Sequence, residues 1–327
     1  MDEVLVEYVN ETYMRVVCEP AVAYELSDYF TFDVPHAKFT AAYKIKAWDG
    51  KIRLYNRATQ LLYVGLFPYV QKFCVERGYA LSYPDDALSS NNHNIEEILS
   101  NMDLTLEVRP YQADAFAHAL KYNRALFLSP TSSGKSLIIY MLIKYFSKKT
   151  LIIVPTTALV HQMASDFEDY GLADAEDNIH KIFTGQEKYT NKPITISTWQ
   201  SIYKNKKQFY KDFEVVIGDE AHLFKADSLT AIMTKLDHIK YRFGFTGTLD
   251  ESLTNKLVLE GLFGAVNRVI TTSELIEEGY AADFKIKAIV LKHSDEDRKR
   301  MAKCTYQQEI AYLVGNEKRN KLLTNLT

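Results

Sequence analysis

Cysteine is scarce in this chain: Cys18, Cys74 and Cys304 are three residues in 327. No Cys-x-x-Cys and no cysteine–histidine pairing accompanies them, which excludes a thiolate zinc site and a disulfide framework and predicts buried thiols. Long apolar runs are missing too, none approaching the ~18 residues that a membrane helix needs. The opening "MDEVLVEYVNETY" is acidic where a secretory leader would be basic and then apolar. These absences predict a chain at work in a reducing cytoplasm, without a membrane partner. Net positive charge is also absent, the formal value being −3, but an average over a whole chain says little about one face. Between His36 and Ala80, Lys38, Lys44, Lys46, Lys51, Arg53, Arg57, Lys72 and Arg77 are set against only Asp49 and Glu76. A basic island therefore sits inside an acidic chain.

The residues present, 47% hydrophobic and 25% charged, are those of a globular protein long enough for two cores. Over 1–82, short alternating stretches ("VLVEYV", "MRVVC", "KIRLYN") and a helix around "VGLFPYVQKFCVERG" predict a small α+β domain. The turn-rich "YPDDALSSNNHN" opens a linker over 83–104, which closes with the amphipathic helix "IEEILSNM". From about 105 to 270 the apolar runs "RALFLS", "TLIIVP", "ITIS", "FEVVIGDE" and "YRFGFTGT" alternate with helix-length segments. That alternation predicts an α/β domain whose parallel sheet is covered by helices on both faces.

"RALFLSPTSSGKSLIIYMLIKYF" reads as strand, loop and helix. In that order the loop amides and the positive helix end converge on one point, where a triphosphate can sit. Pro130, Thr131, Ser132, Ser133 and Gly134 would form the cradle for ATP, Lys135 would reach the β- and γ-phosphates, and Ser136 would ligate Mg²⁺. The pattern G-x-x-x-x-G-K-[ST] has glycine where Ser129 stands, a position that leaves the strand and makes smaller demands than Gly134. In "VVIGDEAH", Asp219 and Glu220 follow an apolar strand, at the edge where open parallel sheets bind ligands. Asp219 would hold Mg²⁺ and Glu220 would orient the attacking water. No N-K-x-D for reading guanine follows.

The order of segments resembles the first motor domain of superfamily 2 helicases, a P-loop NTPase of RecA-like fold. "VRPYQADAF" is similar to that family's adenine-reading helix, which implies roles for Arg109, Tyr111 and Gln112. "VPTTALVHQ" (Thr156, Thr157, Gln162), "TG" (Thr184, Gly185) and "STWQSI" (Thr198) resemble its strand-contacting segments. "FTGTL", with Thr246 and Thr248, resembles the segment that couples nucleotide to strand, and the DEAH position of His222 implies a part in the same coupling. "YKIKAWDGKIRLYN", "VGLFPYVQKF", "TTSELIEEG" and "YQQEI" narrow the likeness to the phage UvsW family.

That likeness implies an N-terminal nucleic-acid-binding module and an ATP-dependent motor acting on branched or forked DNA and on RNA–DNA hybrids, in recombination, replication and repair. It implies a monomer in the host cytoplasm. Residues 271–327 resemble the linker and start of a second RecA-like domain, so the family pattern implies a split or truncated motor with weak turnover unless that domain is supplied in trans. In the basic island, Lys44, Lys46, Lys51 and Arg53 lie among tyrosines and Trp48, a mixture suited to phosphate contact and base stacking. The alternative is a hairpin at Asp49-Gly50 with Lys51 and Arg53 on a solvated face. His93, His118, His161, His180, His238 and His293 have no ligand spacing. The motor subunit of a restriction-type translocase and a non-catalytic, ATP-gated nucleic-acid-binding fragment remain as alternative functions.

Overall fold

The computed structural model of the protein describes residues 3–34, 36–84, 93–224, 226–249, 253–283 and 288–326; linker residues 85–92 lie outside the described residues. Two compact units are formed, Met1–Ala281 and Ala282–Thr327.

The first unit begins with β1 (Glu3–Tyr8), β2 (Tyr13–Val17), helix α1 (Pro20–Tyr29), β3 (Thr31–Asp33), β4 (Lys51–Arg53), β5 (Leu61–Tyr63), α2 (Phe67–Arg77) and β6 (Ala80–Ser82). A mixed sheet of order β5-β2-β1-β6 results, with β3 and β4 paired apart from it. Alternation does the sorting, because the period of two sends successive side chains to opposite faces. Val4, Val6, Met14 and Val16 are buried against Val22, Leu26, Val70 and Phe73, while Leu5 faces out.

Helix α3 (Ile95–Ser100) follows, capped by Asn94, and then α4 (Pro110–Tyr122), whose proline occupies the first turn. Next come β7 (Arg124–Leu128), α5 (Lys135–Phe146), β8 (Thr150–Val154), α6 (Thr157–Asp169), β9 (Ile179–Ile182), β10 (Ile194–Thr198), β11 (Val215–Gly218), α7 (Ala226–Met233), β12 (Tyr241–Thr246), α8 (Leu253–Phe263), β13 (Val266–Arg268) and α9 (Thr272–Glu277). The seven strands are all parallel, in the order β13-β7-β12-β11-β8-β10-β9. Their pleat divides each apolar run between two cores. Phe127, Ile152, Val154 and Ile217 pack with α4, α5 and α6 on one face, and Leu126, Leu151, Ile153 and Val216 pack with α7 and α8 on the other. Burial on both faces explains why the strands read as unbroken hydrophobic runs. With every strand parallel, all their C-terminal ends share one edge.

The small sheet is joined to the seven-stranded sheet through polar side chains and a continuous core. Leu257 of α8 lies within the N-terminal cluster. Glu11, in the β1–β2 turn, pairs with Arg124 at 2.6 Å, and Thr12 Oγ1 donates to Met233 O at 3.1 Å. Arg242 is fully buried and donates to Thr12 Oγ1 (3.0 Å), to Ile239 O (2.8 Å) and to Leu236 O. Tyr69 donates to Glu260 at 2.6 Å.

In the second unit, Ser294 caps α10 (Asp295–Met301), the charge-rich stretch of the sequence, and α11 (Tyr306–Val314) and α12 (Glu317–Leu326) follow. No helix among the described residues is long and apolar enough to cross a membrane.

Candidate nucleotide site and nucleic-acid edge

β12 lies between β7 and β11. The loop after β7, the acidic turn after β11 and the Thr246–Thr248 turn after β12 therefore open side by side on the C-terminal edge, although they are far apart in sequence. Gly134 caps α5 with φ 76°. A Cβ there would also come within 2.4 Å of Gln112 Nε2, so both the backbone and the space require glycine. Ser129, the departure from the usual pattern, is fully buried. Its hydroxyl lies 2.6 Å from Ser133 Oγ, which itself donates to Pro130 O. A serine bond thus braces the start of the loop. Pro130 and Gly134 are half-buried, whereas Thr131 and Ser132 are exposed at its tip.

Lys135 Nζ sits 2.5 Å from Glu220 Oε1, both side chains being largely buried. Glu220 adopts the left-handed conformation (φ 48°) just past β11. Gly247 N lies 3.5 Å from its Oε2, as does His222 Nδ1. His222 Nδ1 is also 2.6 Å from Thr246 Oγ1, which donates to Thr248 O at 2.5 Å. Since the threonine hydrogen is used there, Nδ1 of the imidazole must be the donor. A chain of polar contacts then runs Lys135, Glu220, His222, Thr246, Thr248.

Asp219 is 7% exposed and its Oδ1 has no hydrogen-bond partner. Desolvation pushes its carboxyl up to about 6, against the pull of Lys135. A cation would satisfy that oxygen. Among the described residues no cluster of three or more His, Cys, Asp or Glu could hold a metal, so Asp219 and the Ser136 hydroxyl fit an ion that takes the rest of its shell from water and phosphate, as Mg²⁺ does. The Ser136 hydroxyl lies 2.7 Å from Tyr170 OH, a contact no motif announced.

Just before Gly134, Gln112 and Tyr111 both donate to Ser133 O at 3.0 Å. Arg109 Nη1 donates to Tyr111 OH at 2.8 Å. The three residues expected around adenine are therefore joined to the phosphate loop. Tyr280 adjoins them and had no signal in the sequence beyond its place after "EEG".

The rest of the edge carries the residues expected to face a strand. Thr156 caps α6 after β8, and it is exposed together with Thr157 and Gln162. Thr184 and Gly185, exposed, follow β9. Thr198, at the end of β10, differs: it is 6% exposed, with its hydroxyl 2.8 Å from Ser201 Oγ. A side-chain contact has engaged the hydroxyl expected to face the strand. The edge divides into a half formed by β7, β12 and β11 and a half formed by β8, β10 and β9. Around β3 and β4, Lys44, Lys46 and Lys51 are exposed without an ion pair among the described residues, while Arg53 pairs with Asp49 at 2.5 Å. β4 pairs with β3, so the Asp49-Gly50 turn does not make the short hairpin that its sequence allowed.

Residues 3–84 match the family model "DNA helicase UvsW, N-terminal". Residues 105–251 match "Type III restriction enzyme, res subunit". The ATP-dependent DNA helicase uvsW of Enterobacteria phage T4 is 35% identical over 343 residues, covering 99% of this chain and 67% of that protein. The DNA 3'-5' translocase XPB2 of Sulfurisphaera tokodaii is 29% identical over 195 residues, covering 60% of this chain and 43% of its own length. A crystal structure of the bacteriophage T4 UvsW helicase superposes with a TM-score of 0.75 at 32% identity, over 81% of this chain and 99% of that one. This chain thus spans about two thirds of the T4 helicase and less than half of the XPB2 translocase.

Proposed function

Because this chain belongs to the UvsW family of ATP-dependent DNA helicases and carries its helicase ATPase domain, we propose that the β7–β12–β11 half of the edge binds and hydrolyses Mg·ATP while the β8–β10–β9 half grips DNA. The observation that carries this reading is the meeting of Lys135, Asp219 and Glu220 at one place.

Amides at the start of α5 receive phosphate oxygens, which the helix's positive end favours. Lys135 leaves Glu220 for the β- and γ-phosphates, and Glu220, freed, orients the attacking water and accepts its proton. Ser136 and Asp219 would hold Mg²⁺. The ion, when bound, neutralises charge that develops across the β- and γ-oxygens. Arg109, Tyr111 and Gln112 serve the adenine end. His222 relays the state of Glu220, at the end of β11 beside the gripping half, to Thr246 and Thr248. Thr156, Thr157, Gln162, Thr184 and Gly185 contact the strand backbone, with Thr198 acting through Ser201, and Lys44, Lys46, Lys51 and Arg53 add contacts from the small domain.

The finer reading is a division into a binding module (1–82), a linker (83–104), a motor lobe (105–270) and the beginning of a second lobe (271–327). It adds branched DNA and RNA–DNA hybrids as substrates, a second motor domain contributing in trans, and a monomer in the host cytoplasm. Phosphate release measured with and without forked DNA tests the reading. Turnover that is weak in this chain alone, is stimulated by forked DNA once a second motor domain is supplied in trans, and is abolished by Lys135→Ala is the expected result; a rate indifferent to Lys135→Ala contradicts it.

A further inference from the structure

Gln112 is only 2% exposed. Its amide oxygen accepts from Arg109 N and its amide nitrogen donates to Ser133 O, so the accessible surface beside it belongs to other side chains. The Arg109 guanidinium carbon lies 4.2 Å from the centroid of the Tyr280 ring, the separation of a stacked cation. Tyr280 meets Tyr111 edge-on, with centroids 6.0 Å apart and planes at 68°, and it remains 38% exposed.

The backbone fixes this placement. α9 ends at Glu277, and two hydrogen bonds reverse the chain: Gly279 N to Ile276 O at 3.0 Å and Tyr280 N to Leu275 O at 2.8 Å. These are the bonds of a helix closed through a left-handed residue. Gly279 has φ 76° and a Cβ there would meet nothing within 4 Å, so conformation alone calls for glycine. Leu275, fully buried, joins Tyr111 and Ile270 in a small separate core that anchors the turn to α4. A planar cation, an exposed aromatic face and the Ser133 carbonyl are brought together beside the last residues of the phosphate loop.

Resting on the nucleotide reading above, we propose that Tyr280 is a base-binding residue: with Arg109 it forms a stacking platform for the purine of the bound nucleotide. A flat guanidinium already stacked on an aromatic ring presents the kind of surface on which a purine stacks, and stacking favours the larger ring system over a pyrimidine.

The test is equilibrium binding of ATP, CTP and inorganic tripolyphosphate, by calorimetry, to the full chain and to Tyr280→Ala, Tyr280→Phe and Lys135→Ala. Tyr280→Ala weakens ATP about tenfold, narrows the preference for ATP over CTP, and leaves tripolyphosphate within about twofold, while Tyr280→Phe binds as the parent does. If Tyr280→Ala weakens tripolyphosphate as much as ATP, its role is structural and the proposal is overturned. ATP binding unchanged in Tyr280→Ala but lost in Lys135→Ala overturns the stack alone. Binding indifferent to Lys135→Ala removes the pocket itself, and the stack with it.

Discussion

Lys135 Nζ, after β7, lies 2.5 Å from Glu220 Oε1, after β11. In the free protein the phosphate-binding cation and the water-orienting carboxylate neutralise each other, so ATP must separate them. Glu220→Gln therefore lowers kcat by about 100-fold or more while ATP binds as tightly as before or tighter, since Lys135 is released. Lys135→Ala loses binding itself. Phosphate release and equilibrium ATP binding on the two variants distinguish these effects. Equal loss of affinity in both contradicts the arrangement.

Asp219 is destabilising in the free protein. Its raised value, about 6 against an ordinary 3.8, means that the folded state holds the proton more strongly than the unfolded chain. The stability contributed by the protonated form is complete below pH 4 and is lost as pH rises through 6. Asp219→Asn mimics that form at every pH. The variant should melt with the parent near pH 4 and exceed it at pH 8 by on the order of 2–3 kcal/mol, as read by thermal unfolding without nucleotide. A variant less stable than the parent at pH 8 sinks this expectation.

The join between the small sheet and the motor sheet depends on charge. Glu11→Ala leaves Arg124 largely buried without its carboxylate and close to buried Arg242. Breaking such a pair costs about 3 kcal/mol, which lowers Tm by on the order of 5–10 °C in a unit of this size. Adding Arg124→Met should recover part of the loss, because the stranded charge goes with it. Additive losses in the double variant would mean that the pair is not coupled.

Among the basic residues of the small domain, free side chains should matter most to DNA. Lys44→Glu with Lys46→Glu is expected to weaken forked-DNA binding and to reduce the slope of log affinity against log salt by about 1 to 2. Arg53→Ala does less, its guanidinium being held by Asp49. Titrations at several salt concentrations check this; equal effects from both changes would refute the distinction.

The legible part of the molecule is local. "RALFLSPTSSGKS" and "VVIGDEAH" set strand, turn and helix start within a few residues, so the sheet and the edge that bears Lys135, Asp219 and Glu220 follow from pattern and spacing. Thr198 shows the limit: its place at the end of β10 was legible, but not the Ser201 hydroxyl that takes its bond. Tyr170 on Ser136 and Thr12 on Arg242, the latter pair 230 residues apart, leave no periodic trace, because side-chain contacts between elements depend on helix crossing and strand order. Tyr280 was hidden for the same reason. Burial of cysteine was only half legible, since Cys74 is buried but Cys18 and Cys304 are partly accessible.

The central claim is that the phosphate loop and the acidic turn make one metal–nucleotide pocket. Affinity for ATP, with and without Mg²⁺, in the parent chain and in Asp219→Asn tests it most directly. The pocket predicts that Mg²⁺ strengthens binding to the parent by about tenfold or more, a difference of roughly 1.4 kcal/mol, and that Asp219→Asn loses this dependence. Binding that ignores the metal in the parent, or that keeps its full metal dependence without the Asp219 carboxylate, would contradict it.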